Sequence, residues 1–206
     1  MADIPFTVFS FIGFLLAIEC LYCISKNPGR PWATYILITW ILVVNFVSFT
    51  DSVIWRTEDP SDWWDGKGYC DVVSRIKTEF PIGVCGAAIG ISRFLAEATD
   101  PNPKQTDMRY NRTKRNIIDI ILGVILPIIN AALRYLVEPS RYYIMGVNGC
   151  SSITRTTWPA IPIYFLWVPV MTLVAAVYAS ATRLPSTLTS RHLRLALAQT
   201  SSTSQQ

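Results

Sequence analysis

Five stretches of this chain are apolar for long enough to cross a lipid bilayer, and this pattern constrains the fold more than any other feature. A spanning helix needs about 20 mostly apolar residues to cross about 30 Å of hydrocarbon. Inside lipid the backbone must satisfy its own hydrogen bonds, so such segments fold as helices. The predicted spans are Pro5–Ile24, Trp32–Ile54, Phe80–Ala96, Ile117–Val137 and Trp158–Ala181, the third extended outward to about residue 72 through the amphipathic stretch Cys70–Glu79.

The composition agrees with a membrane protein. Hydrophobic residues make up 51% of the 206 residues, and the mean hydropathy is +0.33. We therefore expect an all-α membrane protein, with residues 1–185 in one transmembrane helical bundle and residues 186–206 in a partly disordered cytoplasmic tail. The first residues lack the basic region of a cleavable signal peptide, so the first span is expected to stay in the membrane.

The basic residues between the spans predict the orientation of the chain. Ten Lys and Arg residues fall in the first and third connections and the tail, on one side of the membrane, and four fall in connections on the other side. Cytoplasmic loops carry the excess of basic residues, which predicts an N-terminus outside and a C-terminus in the cytoplasm. The sequon at Asn111 would then lie inside, and a glycan there would indicate the inverted orientation.

The five cysteines fall into two groups. Cys20, Cys23 and Cys85 lie within predicted spans, where we interpret them as small apolar packing residues. Cys70 and Cys150 both lie on the predicted outer side, where an oxidising compartment permits a disulfide. A bond between them would hold the fourth connection over the bundle. Topology allows this pairing, but it does not establish that the two residues meet.

The third predicted span carries small residues at helical spacing. Gly86 and Gly90 form one small-xxx-small pair, and Gly83 forms another with the alanine four residues later. Small residues let helix backbones approach one another closely, so we expect this helix to lie centrally in the bundle. Pro127 and Pro169 are expected to kink the fourth and fifth spans.

Ionisable residues within or at the ends of the spans are costly and are therefore candidates for function. Asp51 and Glu79 lie near the predicted outer ends, where together with Arg75 and Lys77 they would line an outer mouth. Glu19 is the most deeply placed acid. The remaining three can snorkel or sit at the interfaces: Arg93, Asp119 and Arg134.

An enzymatic function finds little support in the sequence, which predicts no metal and no cofactor. The only histidine, His192, lies in the tail, which excludes multi-histidine metal sites and a Ser–His pair within the bundle. The sequence contains no G-x-x-x-x-G-K-[ST] loop and no G-x-S-x-G motif. A transporter would usually show paired repeats, and none is apparent. The proline-containing spans nevertheless keep a five-span transporter or channel subunit open as an alternative.

A series of short motifs carries a family resemblance by its order and spacing. The motifs are Asn45 with Ser52-Val53-Ile54-Trp55, Tyr69-Cys70-Asp71-Val72, Ile91-Ser92-Arg93-Phe94-Leu95, Thr113-Lys114-Arg115 with Asp119 and Pro127, Arg141-Tyr142-Tyr143 with Gly149-Cys150, Trp158-Pro159-Ala160, and Leu188–Leu195. With these motifs the chain resembles the fungal mating-pheromone receptors of the a-factor receptor family, among the class D G-protein-coupled receptors.

The resemblance implies a multi-pass receptor of the plasma membrane that binds a prenylated peptide pheromone outside and couples to a heterotrimeric G protein inside. The five predicted spans then correspond to the first five of a seven-helix bundle, and we expect a receptor truncated after the fifth span. Chosen by position, the ligand-binding candidates are Asp71, Arg75, Lys77, Arg141 and Tyr143. The candidates for the G-protein face are Arg93, Arg109, Arg112, Lys114 and Arg115.

The same residues bear on two other kinds of partner. The basic residues lie in loops between spans rather than in one stripe, so no nucleic-acid partner is predicted. A homo- or heterodimer is a further hypothesis, in which the chain is a non-signalling partner of a full receptor. Its contact would use the three glycines of the third span, Gly83, Gly86 and Gly90.

Overall fold

The structure is a computed structural model that describes residues 3–26, 29–56, 63–98, 108–134, 142–153, 158, 161 and 165–180. Within these ranges, four helices are long and apolar enough to cross a membrane, and a fifth apolar helix is shorter. The expected all-α membrane architecture is therefore confirmed, and the chain is a multi-pass membrane protein. The helices are α1 (Asp3–Ser25), α2 (Trp32–Ile54), α3 (Tyr69–Ala98), α4 (Met108–Ile120), a π-helical segment (Ile121–Ile125), α5 (Leu126–Arg134) and α6 (Trp167–Ser180).

The first two helices pack against each other through interlocking aromatic side chains. Phe11 meets Phe49 with ring centroids 5.1 Å apart, and Phe14 meets Phe46 at 5.5 Å. Asn45 of α2 lies against Gly13, where a side chain on α1 would collide with the amide. The rest of α1 is apolar and exposed, as expected of a helix whose other faces meet lipid.

The third helix lies at the centre of the described bundle and contacts α2, α4, the π-helical segment and α5. Its glycines allow this, because each faces a neighbour at a distance that leaves no room for a Cβ atom. Gly83 faces the indole of Trp40, Gly86 faces the backbone of Leu122, and Gly90 faces Asp119. The glycines are therefore occupied by contacts within the chain. One hypothesis assigned a dimer contact to these glycines. That hypothesis is wrong, because the glycines are covered by their own chain and offer no open surface to a second molecule.

Two helix starts differ from the predictions. Helix α3 begins at Tyr69, because its amphipathic first turns continue the apolar span. Helix α4 begins at Met108 rather than at Ile117, so the basic residues predicted in the third connection extend the fourth span instead. Hydropathy did not detect these turns because they are strongly polar and reach beyond the apolar part of the helix.

Pro127 interrupts the fourth span in the way its chemistry requires. It has no N–H group for the carbonyl oxygen of Gly123, four residues earlier, and the helix widens into the π-helical segment immediately before it. Pro169 lies in the first turn of α6, where a proline is well tolerated. The backbone just before it departs from α-helix geometry, since the Leu166 N–H donates to the carbonyl oxygen of Ile161, five residues earlier. The kink expected at Pro169 stays a prediction, because residues 162–164 lie outside the described part of the chain.

A short hairpin follows the fourth span and returns over the end of the bundle. Strand β1 (Tyr143–Ile144) pairs antiparallel with β2 (Cys150–Ser151), so that Ile144 lies opposite Cys150. The predicted disulfide is present: Cys70, in the first turn of α3, is bonded to Cys150, with Cα atoms 5.2 Å apart. It links positions 80 residues apart in the sequence.

The remaining cysteines differ in their surroundings. Cys85 is half-buried, with its sulfur 3.7 Å from the hydroxyl of Thr172 in α6. Cys20 and Cys23 are exposed on α1. The interpretation of Cys20 and Cys23 as packing residues is therefore wrong, because the face that α1 presents to α2 is a different one. The tail after residue 180 and Arg141 lie outside the described residues.

Candidate functional site

A hydrophobic cluster surrounds the disulfide at the end of the bundle where α2 ends and α3 begins; we call it the outer cluster. Trp55 and both bonded cysteines are fully buried in it. The Trp55 indole donates to the carbonyl oxygen of Trp64 at 3.1 Å, and the two rings stack with centroids 6.3 Å apart. The cluster consists of Val47, Trp55, Cys70, Val73 and Cys150, with Val43, Trp63, Tyr69, Tyr142 and Ile144 packed against it.

The two tryptophans before α3 help to close this end. Trp63 packs against the outer cluster and Trp64 stacks on Trp55. From the sequence alone, two tryptophans in an acidic connection predict an aromatic belt at the headgroup level, with a role in covering an outer cavity as the alternative. The contacts of Trp63 fit the covering role, because its ring packs against the cluster beside the disulfide.

Asp51 forms the polar centre of the outer end. Its carboxylate is fully buried and accepts hydrogen bonds from the Tyr69 hydroxyl at 2.7 Å and from the Lys77 ammonium at 2.5 Å. Lys77 also donates to the carbonyl oxygen of Asn148 in the hairpin, at 2.5 Å. This network joins α2, α3 and the hairpin. Gly149, at φ 65°, approaches the carboxylate so closely that any side chain there would collide with it.

The described ligand-binding candidates lie at or beside this end of the bundle. Lys77 is held in the Asp51 network, so its charge is already compensated within the protein. Asp71 and Arg75 are half-buried on the first turns of α3, and Tyr143 is half-buried in β1. Arg141 lies outside the described residues. The assignment of these side chains to a ligand remains a prediction.

Two titratable groups just outside the spans have shifted pKa values. The Asp65 carboxylate lies 2.6 Å from the Lys67 ammonium. It raises the pKa of that ammonium by hydrogen bonding and by its negative charge. Partial burial, followed by the charges of Asp65 and Asp71, raises the pKa of the Tyr142 phenol. The Tyr142 hydroxyl donates to the carbonyl oxygen of Asp65 at 3.0 Å. At neutral pH both groups therefore keep their protons.

A buried ion pair joins α3 to α5. Glu79 Oε1 lies 2.7 Å from Arg134 Nε, and each side chain is only 4% exposed. Arg134 also donates to Asn130 Oδ1 at 2.9 Å, one turn earlier on α5. Arg134 therefore does not snorkel, which was one of the two interpretations that the sequence allowed. The Glu79 carboxylate compensates its charge inside the protein, and the Asn130 amide oxygen accepts a hydrogen bond from it.

A second set of charges lies at the opposite, inner end of the bundle. Arg93 of α3 donates to Asp119 Oδ1 at 3.1 Å and to the carbonyl oxygen of Arg115 at 3.2 Å. Asp119 is fully buried. Arg115 in turn contacts Glu97 at 3.2 Å, and its guanidinium lies 5.0 Å from the centre of the Phe94 ring. Helices α3 and α4 are thus held together by charge.

The residues predicted for the G-protein face differ in their surroundings. Arg93 and Arg115 are engaged in contacts within the chain, so neither offers an uncompensated charge to a partner. Arg112 and Lys114 are exposed on α4. The backbone of Arg109 lies in the first turn of α4, and its side chain is outside the described part of the structure.

Sequence reasoning identified the buried acids and bases but missed their partners. Helix α3 contributes one member of each of three pairs that connect it to its neighbours. The sequence does show opposite charges on different spans. Which charge pairs with which depends on how the helices pack, and the sequence does not show this. The pairs are Asp51–Lys77, Glu79–Arg134 and Asp119–Arg93.

Comparison with known proteins decides the family. A family model described as pheromone A receptor (STE3) matches residues 5–206. The chain belongs to the pheromone A receptor family. The family assignment agrees with the motifs identified in the sequence and with the interpretation of the chain as a receptor rather than an enzyme.

Curated members of the pheromone A receptor family are similar to most of this chain. The pheromone a factor receptor of Saccharomyces cerevisiae is 30% identical over 83% of the chain and 37% of its own length. The pheromone M-factor receptor of Schizosaccharomyces pombe is 25% identical over 77% of the chain and 42% of its own length. The pheromone B beta 1 receptor of Schizophyllum commune is 30% identical over 73% of the chain and 28% of its own length. The chain therefore spans less than half the length of these relatives.

Proposed function

We propose that this member of the pheromone A receptor family acts in the plasma membrane as a mating-pheromone receptor. Its outer end binds a prenylated peptide pheromone, and its inner end contacts a heterotrimeric G protein. The observation that carries the proposal is the family match over residues 5–206, together with two chemically different ends on one bundle. One end is closed by a disulfide and a hairpin, and the other presents basic residues on α4.

The orientation with the N-terminus outside is supported by two independent features. The Cys70–Cys150 disulfide lies at the end where α3 begins, and disulfides persist in oxidising compartments. Arg112 and Lys114 are exposed toward the opposite end, where the positive-inside rule expects basic residues. Both features support an orientation with the disulfide end outside.

The outer end has both kinds of surface that a lipidated peptide needs. Asp71 and Arg75 supply opposite charges on the first turns of α3, and Tyr143 supplies an aromatic side chain on the hairpin. A cavity of about 200 Å³ lies between the outer ends of α1 and α2. Its lining is mostly apolar, with one cation: Ile4, Thr7, Val8, Ser52, Val53 and Arg56.

A binding assay on membranes that contain the chain tests the ligand. A fluorescent S-farnesylated peptide should bind saturably, and an unlabelled prenylated peptide should compete with it, whereas the same peptide without the prenyl group should not. Because pheromones differ between relatives, a panel of prenylated peptides is required. Non-saturable binding of every peptide would contradict a receptor function for this chain.

Matched variants separate a direct ligand contact from an effect on folding. Arg75→Gln should weaken binding, because it removes a cation at the outer end. Lys67→Gln, an exposed cation paired with Asp65 at the same end, should leave binding unchanged. Equal effects of the two variants would count against a specific role for Arg75.

The inner face is tested by charge reversal. Replacing Arg112 and Lys114 by Glu should reduce pheromone-stimulated nucleotide exchange on the G protein, while pheromone binding is retained. Lys67→Glu, which reverses an exposed cation at the opposite end of the bundle, outside the cavity between α1 and α2, is the control for charge reversal. Exchange that is the same in the Arg112/Lys114 variant as in the unmodified chain would refute this assignment.

A further inference from the structure

Two cysteines of α1 are explained neither by packing nor by the proposed receptor function. Cys20 and Cys23 lie three residues apart, on one face of the helix, and both are exposed. Ile12 and Leu16 continue the same face toward the other end of α1 and are 45% and 60% exposed. The face that α1 presents to α2 is different, since it carries the buried Ser10 and Ala17. The two thiols therefore lie on a face of α1 that the described helices leave uncovered.

The neighbours of these cysteines indicate that they lie close to the membrane surface. Glu19 precedes them, is exposed and lies less than two turns from the end of α1 at Ser25, and an exposed charged side chain is tolerated near the headgroups rather than at the centre of the bilayer. Tyr22, between them, is 61% exposed, and the Lys26 ammonium lies 5.2 Å from the centre of its ring. A tyrosine and a lysine in this arrangement are typical of the interface.

The same end of α1 lies on the side of the membrane opposite the disulfide. Ile4, at the beginning of α1, shares a cavity with Ser52 and Arg56 at the outer end of α2. Cys20 and Cys23 lie near the other end of α1, which ends at Ser25. In the orientation proposed above, they lie on the cytoplasmic side of the bilayer, where thiols stay reduced and acyl-coenzyme A is available.

We propose that Cys20 and Cys23 are S-acylated by a long-chain acyl-coenzyme A. Exposed juxtamembrane thiols beside basic residues suit this modification. The cysteine thiolate attacks the carbonyl carbon of the acyl thioester and forms a new carbon–sulfur bond. The bond to coenzyme A breaks, coenzyme A leaves as a thiolate, and it takes up the proton that the cysteine lost. No atom is oxidised or reduced.

The attached chains have an apolar surface to lie against. An acyl group on Cys20 can run back toward the bilayer centre along Leu16 and Ile12, which the described bundle leaves uncovered. Each methylene that leaves water in this way strengthens membrane attachment. Acylation would thus anchor the connection that carries Lys26 and Arg30 to the inner leaflet.

A thioester-specific mass-tag assay on the full chain tests the proposal. Reactive thiols in membranes are blocked with N-ethylmaleimide, thioesters are cleaved with neutral hydroxylamine, and the released thiols are labelled with a polyethylene-glycol maleimide. We expect a hydroxylamine-dependent shift of two tags in the unmodified chain, one in Cys20→Ser and in Cys23→Ser, and none in the double variant. Cys85→Ser, within the bundle, is the matched control and should keep the shift.

Two results would overturn the proposal: no hydroxylamine-dependent shift in the unmodified chain, or a shift that persists in the double variant. Hydroxylamine also separates a thioester from a disulfide, which it does not cleave. Retention of the Cys70–Cys150 disulfide in the double variant shows that the protein is folded.

The proposal rests on the orientation given above but is separable from pheromone binding. Glycosidase treatment of the same samples reports a glycan on Asn111, which would overturn the orientation as well as the acylation. Pheromone binding by the Cys20→Ser/Cys23→Ser variant reports on the receptor proposal alone. An unmodified chain that binds pheromone but shows no tag shift would therefore contradict only the acylation.

Discussion

The indole Nε1 of Trp40 donates a hydrogen bond of 2.8 Å to the backbone carbonyl oxygen of Gly123. This carbonyl is the one that Pro127, four residues later, cannot bond because proline has no N–H. The same indole lies against Gly83 of α3. One side chain of α2 therefore satisfies a backbone group of the fourth span and also fills the space beside the central helix.

Trp40→Phe should destabilise the protein by about 1–3 kcal/mol, because it leaves the Gly123 carbonyl without a donor in a water-poor interior. Thermal unfolding of the detergent-solubilised protein measures the effect. Trp158→Phe is the control, since Trp158 is 82% exposed. Adding Pro127→Ala should reduce the effect of Trp40→Phe, because the restored N–H can bond Gly123. Equal effects of Trp40→Phe with and without Pro127→Ala would contradict this account.

Gly86→Ala should lower the melting temperature, because the added methyl group would meet the carbonyl group of Leu122 in the π-helical segment. Backbone cannot rotate away as a side chain can, and overpacking costs about 1–3 kcal/mol. Alanine has a better helix propensity than glycine, which raises the free energy of unfolding by about 1 kcal/mol and opposes the steric effect. A lower melting temperature would therefore show that the steric collision outweighs the gain in propensity. Gly29→Ala is the control, since a methyl group added there would have no neighbour within 4 Å. An unchanged melting temperature for Gly86→Ala would refute close packing at this point.

Glu79→Gln should destabilise the protein by about 3–5 kcal/mol, because it leaves the charge of the buried Arg134 uncompensated. Adding Arg134→Met should recover part of the loss, since the double variant buries no unpaired charge. Thermal unfolding of the three variants gives the coupling between the two residues. The exposed pair Lys67–Asp65 is the control, and Lys67→Ala should leave the melting temperature unchanged. Additive effects of Glu79→Gln and Arg134→Met would show that the ion pair does not couple them.

Cys150→Ser should destabilise the protein by about 2–4 kcal/mol, because the disulfide closes a long loop between residues 80 positions apart. Cys70→Ser should have the same effect, and the double variant should be no worse than either single one. Reductant should lower the melting temperature of the unmodified chain and leave that of the variants unchanged. Cys85→Ser, outside the bond, is the control. A reductant effect that survives in Cys150→Ser would have to come from another source.

The spans and the family could be predicted from the sequence because both are encoded in local runs of residues. Helix α2 has the predicted bounds, Trp32–Ile54, since a long apolar run ends sharply on both sides. The start of α4 was missed for the converse reason: the helix continues through polar, basic turns that carry no hydropathy signal. The outer hairpin was also missed, because strands of two residues are too short to leave a periodic pattern.

The charged residues show most clearly where sequence reasoning ends. Asp51, Glu79 and Asp119 could each be recognised as costly within a membrane. Their partners could not be named, because the choice depends on which helix faces lie together. Arg93 was predicted to face an external partner, and nothing in the sequence indicates that it also compensates Asp119, 26 residues away.

The sequence by itself determined that the chain crosses the membrane as helices, which family it resembles, and which cysteines could be bonded, because lipid allows few backbone structures and compartments restrict thiol chemistry. The tertiary structure alone decided the rest. It pairs each of three charges of α3 with a charge on another helix, directs Trp40 to the carbonyl left open by Pro127, and leaves Cys20 and Cys23 exposed. These outcomes depend on distances between segments far apart in the chain, and such distances exist only after the helices have packed.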